Sequence, residues 1–346
     1  MTRLLPEGVE NMTMALKRWT LILFLAALPL FAGSEPPFNP GDVVSTASGP
    51  FGCGPHAFAA GFGAALYRHG STWPSRFSDA DFRFPVPSGP VTYSPALNRM
   101  VMPAVGGTFT TLETLDADGH ITPLLTLPEQ ARVTALAGIG REILAVVALV
   151  APSYRFELWR IAGDGSVTEQ IGLPLSPPPL PIRDIASIDL AADRCTLAYV
   201  VPGEVVHRYD ICARRPLADA TTRTASAVHF LPRGILLVSD SPGPTVPLPS
   251  RLTRYDREGR PVSTADPVLL PGEMITAIAL DPDGSTAWLV TSAVSPGCVV
   301  AGRLLAVDAS TGALIAGPWP FGGQGVAVAG EWRAAEQPPG RGRAIR

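Results

Sequence analysis

Five histidines and four cysteines are the residues of this 346-residue chain best suited to metal or nucleophile chemistry. His56, His69, His120, His207 and His229 are scattered, with no pair at i, i+2 or i, i+4, the spacings that bring two imidazoles to one side of a strand or helix. Cys53, Cys195, Cys212 and Cys298 contain no C-x2-C, so no local motif builds a zinc site and no metal is expected. LDADGHI (115–121) and ALDPDGS (279–285) carry paired carboxylates. Neither continues to the glycine and glutamate that an EF-hand loop needs, and both are expected as tight turns. G-x-S-x-G, H-E-x-x-H and the phosphate loop are absent, so no catalytic residue and no cofactor is assigned.

One stretch places two cysteines together. CTLAYVVPGEVVHRYDIC (195–212) has two apolar runs, a Pro-Gly-Glu break and a cysteine at each end. A two-residue turn at Gly203-Glu204, glycine first, suits type II′ and sets Pro202 opposite Val205. Counting outward along that register brings Cys195 opposite Cys212 in a non-hydrogen-bonded pair. Its Cα atoms lie about 4.5 Å apart, at the short end of disulfide geometry. A Cys195–Cys212 disulfide is expected.

The elements that hold these residues are short. Charged residues are 16% of the chain, hydrophobic ones 46%, and there are 34 glycines and 37 prolines. That composition favours many strands joined by turns over long helices or disorder. The net charge of −3 carries no basic footprint, so nucleic acid is excluded as an expected partner.

Lys17 and Arg18 precede TLILFLAALPLFA (20–32) and small residues, the layout of a signal peptide over 1–34, with Met14 as a possible true start. No later run is long enough to span a membrane. Secretion or periplasmic export is expected, where disulfides are permitted. Residues 35–54 are expected as a linker, 55–332 as the folded domain and 333–346 as a disordered tail.

From residue 55 the chain repeats. Strand-then-turn units recur with Arg68, Asp116, Ala162, Asp210, Asp256 and Asp308 in one column, at intervals of 46–52 residues. Ahead of all but the first lies a strand–turn–strand unit: VTYSPALNRMVMPA, VTALAGIGREILAVV, ASIDLAADRCTLAYVV, ASAVHFLPRGILLVSD and ITAIALDPDGSTAWLVT. Four strands per 40–50 residues predict a β-propeller. The first unit lacks its inner strand, and GVAVAG (325–330) supplies one at the C-terminus. Six blades closed by that strand are expected, with seven as the alternative. In that arrangement Cys53 and Cys298 fall in neighbouring blades and are expected as a second bridge across the closure.

ITAIALDPDGSTAWLVT, LLAVDASTGAL and GVAVAG resemble the NHL, streptogramin-lyase-like and gluconolactonase-like group of bacterial propellers. DLAADRCTLAYVV with VHRYDIC resembles a blade of exported members that have no assigned activity. The resemblance covers most of 55–332 and implies fold more than function. The catalytic histidines and glutamate of streptogramin lyases, and the metal ligands of gluconolactonase-like members, do not map residue by residue onto this chain.

A propeller presents the loops entering its inner strands and the loops joining its second and third strands on one face. There lie GLPLSPPPLPI (172–182), SDSPGPTVPLPS (239–250) and SAVSPGCVVAG (292–302), on a scaffold that suits recognition. Arg132, Arg183, Asp184 and Glu273 just precede inner strands and are expected at the channel mouth. The function read from this is a binding or scaffold protein that recognises a protein or glycan on the loop face. The alternative is a hydrolase or lyase at the channel mouth.

Overall fold

The computed structural model describes residues 38–47, 52–53, 63–72, 75–76, 86–87, 89–106, 109–150, 153–174, 184–231, 235–240, 250–270, 273–295, 298–300, 302–322 and 324–331. The segments expected as signal peptide and tail lie outside them. Among the described residues every regular element is a strand, and no helix is long and apolar enough to cross a membrane.

The strands form antiparallel, blade-like sheets in a propeller-like arrangement. One sheet runs Gly325–Val328, Val43–Ala47, Gly63–Tyr67, Ser75–Arg76. The next has Thr92–Ser94, Arg99–Gly106, Phe109–Leu115 and Ile121–Thr126, with Val86–Pro87 added beside Arg99–Gly106. A third is Ala131–Ile139, Glu142–Leu149, Arg155–Ala162, Val167–Gly172. A seven-stranded sheet follows, from Ser187–Leu190 to Pro261–Ala265. Its 17-residue strand Arg215–Leu231 pairs with Glu204–Asp210 through its first part and with Ile235–Asp240 through its last. The final sheet holds Glu273–Leu280, Thr286–Ser295, Gly302–Asp308 and Leu314–Gly322.

The C-terminal strand closes the N-terminal sheet as its pattern predicted: Val43 pairs with Val328 and Thr46 with Gly325. The stretch 35–54 is more than a linker. Val43–Ala47 lies between the C-terminal strand and Gly63–Tyr67, because Val43 and Val44 are apolar, β-branched and fully buried there.

The core lies between sheets. In Glu142–Leu149 the side chains alternate between two environments. Leu144, Val146 and Ala148 pack with Ile188, Leu197 and Tyr199, while Ile143, Ala145 and Val147 pack with Val101 and Leu112. Burial on both faces explains an apolar run with no polar alternation. The last strand of a sheet is exposed, as in Pro261–Ala265. The repeat column is explained by its turns. Asp116, Asp210, Asp256 and Asp308 each accept two backbone N–H bonds from the residues that follow, a local fold that asparagine and aspartate favour.

The strands Gly325–Val328, Thr92–Ser94, Ala131–Ile139, Ser187–Leu190, the end of Arg215–Leu231, and Glu273–Leu280 touch one another in that cyclic order. Hydroxyls join them. Thr92 Oγ1 accepts from Gly138 N–H at 2.6 Å, Ser187 Oγ accepts from Val228 N–H at 3.2 Å, and Ser226 Oγ donates to Ile275 O at 2.5 Å. A serine or threonine is the second residue of VTYS, VTAL, ASID, ASAV and ITAI, a column that becomes meaningful once the strands are seen side by side. Gly138 permits the closest approach: a Cβ there would sit 2.0 Å from the Tyr93 carbonyl oxygen.

Candidate functional site

Arg132, at the start of Ala131–Ile139, and Asp184, just before Ser187–Leu190, are brought together by the structure. Arg132 Nη2 donates to Asp184 Oδ1 at 2.9 Å and to Tyr154 OH at 3.1 Å, and the Tyr154 hydroxyl donates to the same Asp184 oxygen at 2.5 Å. The Tyr154 ring meets Phe156 edge-on at 5.3 Å. Burial, then the hydrogen bond to Asp184, raises the Tyr154 phenol above its ordinary value, so it serves as a neutral donor. The arginine and aspartate side chains are 49% and 34% exposed. The group therefore presents guanidinium N–H donors, a carboxylate and an aromatic edge to solvent, a set suited to polar, hydroxyl-rich or carboxylate ligands. Tyr154 was not a sequence candidate; it lies 30 residues from Asp184, and only the packing of neighbouring sheets joins them.

Of the other expected mouth residues, Arg183 lies outside the described residues. Glu273 is buried and engaged. Its carboxylate accepts from Arg303 Nε at 2.8 Å, from Arg303 Nη2, from the Thr291 hydroxyl and from Leu270 N–H at 2.7 Å. Burial alone would raise its carboxyl. The bonds from Arg303, Thr291 and Leu270 outweigh that and hold it below the usual carboxylate range. With 1% of its surface exposed, Glu273 ties the final sheet together.

Where the inner strands converge, a cavity of about 40 Å³ is lined by Val91, Leu136, Ile188, Val228, Ile278 and Val326, with Ser187, Thr276 and Gln324 as polar members. At roughly 15 Å³ per water this is room for two or three waters.

Cys195 and Cys212 form a disulfide with Cα atoms 5.2 Å apart. The register differs by one residue from the two-residue turn. Val200 pairs with Val206 and Thr196 with Asp210, because Glu204 N–H donates to Val201 O and Gly203 takes φ 83. Proline second and a positive-φ glycine third make a type II turn. The bridge therefore spans the end of the ladder diagonally. Asp210 is the third member of the one close Cys/Asp group among the described residues, but the sulfurs are bonded to each other and Asp210 Oδ1 accepts from Cys212 and Ala213 N–H. Cys53 lies opposite Cys298 in the backbone register.

His207 stacks on Tyr199 with centroids 5.1 Å apart, between Asp219 at 3.2 Å and Glu204 at 3.3 Å. Burial, followed by the charge of Asp219, pushes the Tyr199 phenol up to about 12.

No protein-family model matches the chain, and no curated protein matches it in sequence. Its fold is similar to the crystal structure of TolB from Acinetobacter baumannii, with a TM-score of 0.56 and 11% identity. The match covers 84% of this chain and 66% of that one, just under two thirds of TolB's length. The same likeness extends to 1343 solved chains, so it shows fold and not activity.

Proposed function

We propose that this chain is an exported, six-bladed β-propeller that binds a protein or glycan through its loop face. The supporting observation is the Arg132–Tyr154–Asp184 group, which holds pre-paired polar atoms at the surface. A polar, pre-paired surface site on a rigid strand scaffold suits recognition by loops. Asp184 lies two residues after the Pro-rich loop 172–182 in sequence, and that loop with 239–250 and 292–302, each partly outside the described residues, is proposed as the rest of the surface.

Six blades are supported by the six strands that touch in cyclic order. In this reading the seven-stranded sheet is two four-stranded blades that share Arg215–Leu231. Export is supported by the signal-like segment 17–34 and by the Cys195–Cys212 disulfide, a bond that persists in oxidising compartments. A Cys53–Cys298 bridge completes the reading. Kinship with the NHL-like group belongs to the same proposal.

The test is a glycan array together with photo-crosslinking to envelope proteins, comparing the native chain with Asp184→Ala and Tyr154→Ala. Ligands retained by the native chain and lost by both variants are expected. Equal capture by all three, or turnover of lactone or ester substrates, overturns the proposal.

A further inference from the structure

Asp189, His229 and Glu331 come from three separate parts of the chain and are 2%, 1% and 4% exposed. Asp189 belongs to Ser187–Leu190 and His229 to the end of Arg215–Leu231. Glu331 follows the closing strand Gly325–Val328, after Gly330 with φ 67, and its N–H donates to Val328 O at 3.0 Å. His229 Nδ1 meets Asp189 Oδ2, and its Nε2 meets Glu331 Oε1 at 2.9 Å.

The surrounding bonds assign the protons. Asp189 Oδ2 also accepts from Phe230 N–H at 2.7 Å, and Oδ1 accepts from Leu190 N–H at 2.8 Å. Glu331 Oε1 also accepts from Leu280 N–H at 3.0 Å. Amide donors on these oxygens favour the ionised carboxylates, and an imidazole nitrogen facing a carboxylate oxygen donates to it. Both nitrogens of His229 face such an oxygen, and a ring that donates at both is an imidazolium.

We propose that His229 is a buried imidazolium lock that fastens the C-terminal closing strand to the seven-stranded sheet. The closing strand also has four paired residues, from Val43↔Val328 to Thr46↔Gly325, and bonds from Ala329 N–H to Asp42 O, Gly41 N–H to Ala329 O and Gln324 N–H to Thr46 O. Glu331 adds a charge-assisted bond to a residue 102 positions earlier and caps Leu280 N–H in the last sheet. One carboxylate thus holds the closing strand, the last sheet and the seven-stranded sheet together.

The test uses the full chain with 15N-labelled histidine at neutral pH. Both ring nitrogens of His229 are expected at protonated positions, where a free histidine is mostly neutral. In Glu331→Gln the ring should become the neutral Nδ1–H tautomer. Hydrogen exchange over 325–329 should speed up by roughly 10- to 100-fold, while Glu142–Leu149 keeps its protection. A neutral His229 in the native chain overturns the proposal, and that measurement decides even if the variant fails to fold. Unchanged exchange at 325–329 in a folded Glu331→Gln also overturns it.

Discussion

Gly138→Ala tests the close approach of the inner strands. The backbone at Gly138 is in extended strand, so alanine brings no conformational penalty of its own. The penalty comes from space. Its Cβ would lie 2.0 Å from Tyr93 O and 3.1 Å from Thr92 Oγ1. Tyr93 O is backbone and cannot rotate away, so two neighbouring strands must separate by more than an ångström. Separation stretches the 2.6 Å bond from Gly138 N–H to Thr92 Oγ1 in a buried setting, at a cost of about 1–3 kcal/mol for the stranded donor. Overpacking adds about 1–3 kcal/mol. A loss of about 2–6 kcal/mol follows. At a urea slope of about 3 kcal/mol per molar, the unfolding midpoint falls by roughly 1 M. Gly172→Ala is the control. A Cβ at Gly172 meets nothing within 4 Å, so that variant should match the native chain or gain up to about 1 kcal/mol. Urea unfolding of the three proteins decides the matter. A Gly138→Ala midpoint equal to that of Gly172→Ala would refute both the tight contact and the cyclic packing that rests on it.

Three further outcomes are expected. Opening the 17-residue Cys195–Cys212 link with Cys195→Ser/Cys212→Ser should cost about 3 kcal/mol in urea unfolding; an unchanged midpoint would show that the staple holds nothing. Glu113 is buried, its Oε2 has no partner, and burial raises its carboxyl above 4.5. A raised acid favours the folded state while protonated. That stability is present below the unfolded value and is lost as pH rises through the folded one. Glu113→Gln should therefore be the more stable protein at pH 7 and lose its advantage at pH 4, read from paired melting curves. Glu273 has the opposite sign. Its lowered carboxyl contributes stability above 4.5 that is lost as pH falls through its folded value. Glu273→Ala should cost about 3 kcal/mol by leaving Arg303 without its carboxylate, and a double variant with Arg303→Met should recover part of it. Additive losses would show that the two side chains act independently.

How far the sequence reached depends on how local each cause is. The repeat could be read because four of its six turns are built by an aspartate bonding N–H groups two to four residues ahead, as Asp116 and Asp256 do. The closing role of GVAVAG could be read because one strand was missing at one end and one was spare at the other. The hairpin at 201–204 was harder. Pro202-Gly203 fits a type II turn better than Gly203-Glu204 fits type II′, and that moved the register by one residue while still leaving the cysteines 5.2 Å apart. Val43–Ala47 was overlooked because its partner strands are the C-terminus and a segment 20 residues on, so nothing nearby marks it as paired.

Composition, turn chemistry and the repeat determined by themselves that this is a β protein of strand–turn units closed by its own C-terminus. The fate of its charged groups was decided by tertiary structure alone. Arg132 and Asp184 stayed at the surface and recruited Tyr154, Glu273 was drawn inward by Arg303, and His229 came to lie between carboxylates 40 and 102 residues away. The physical reason is reach. A turn is set by groups a few residues apart, whereas the protonation and exposure of a side chain are set by whatever the folded ring packs against it.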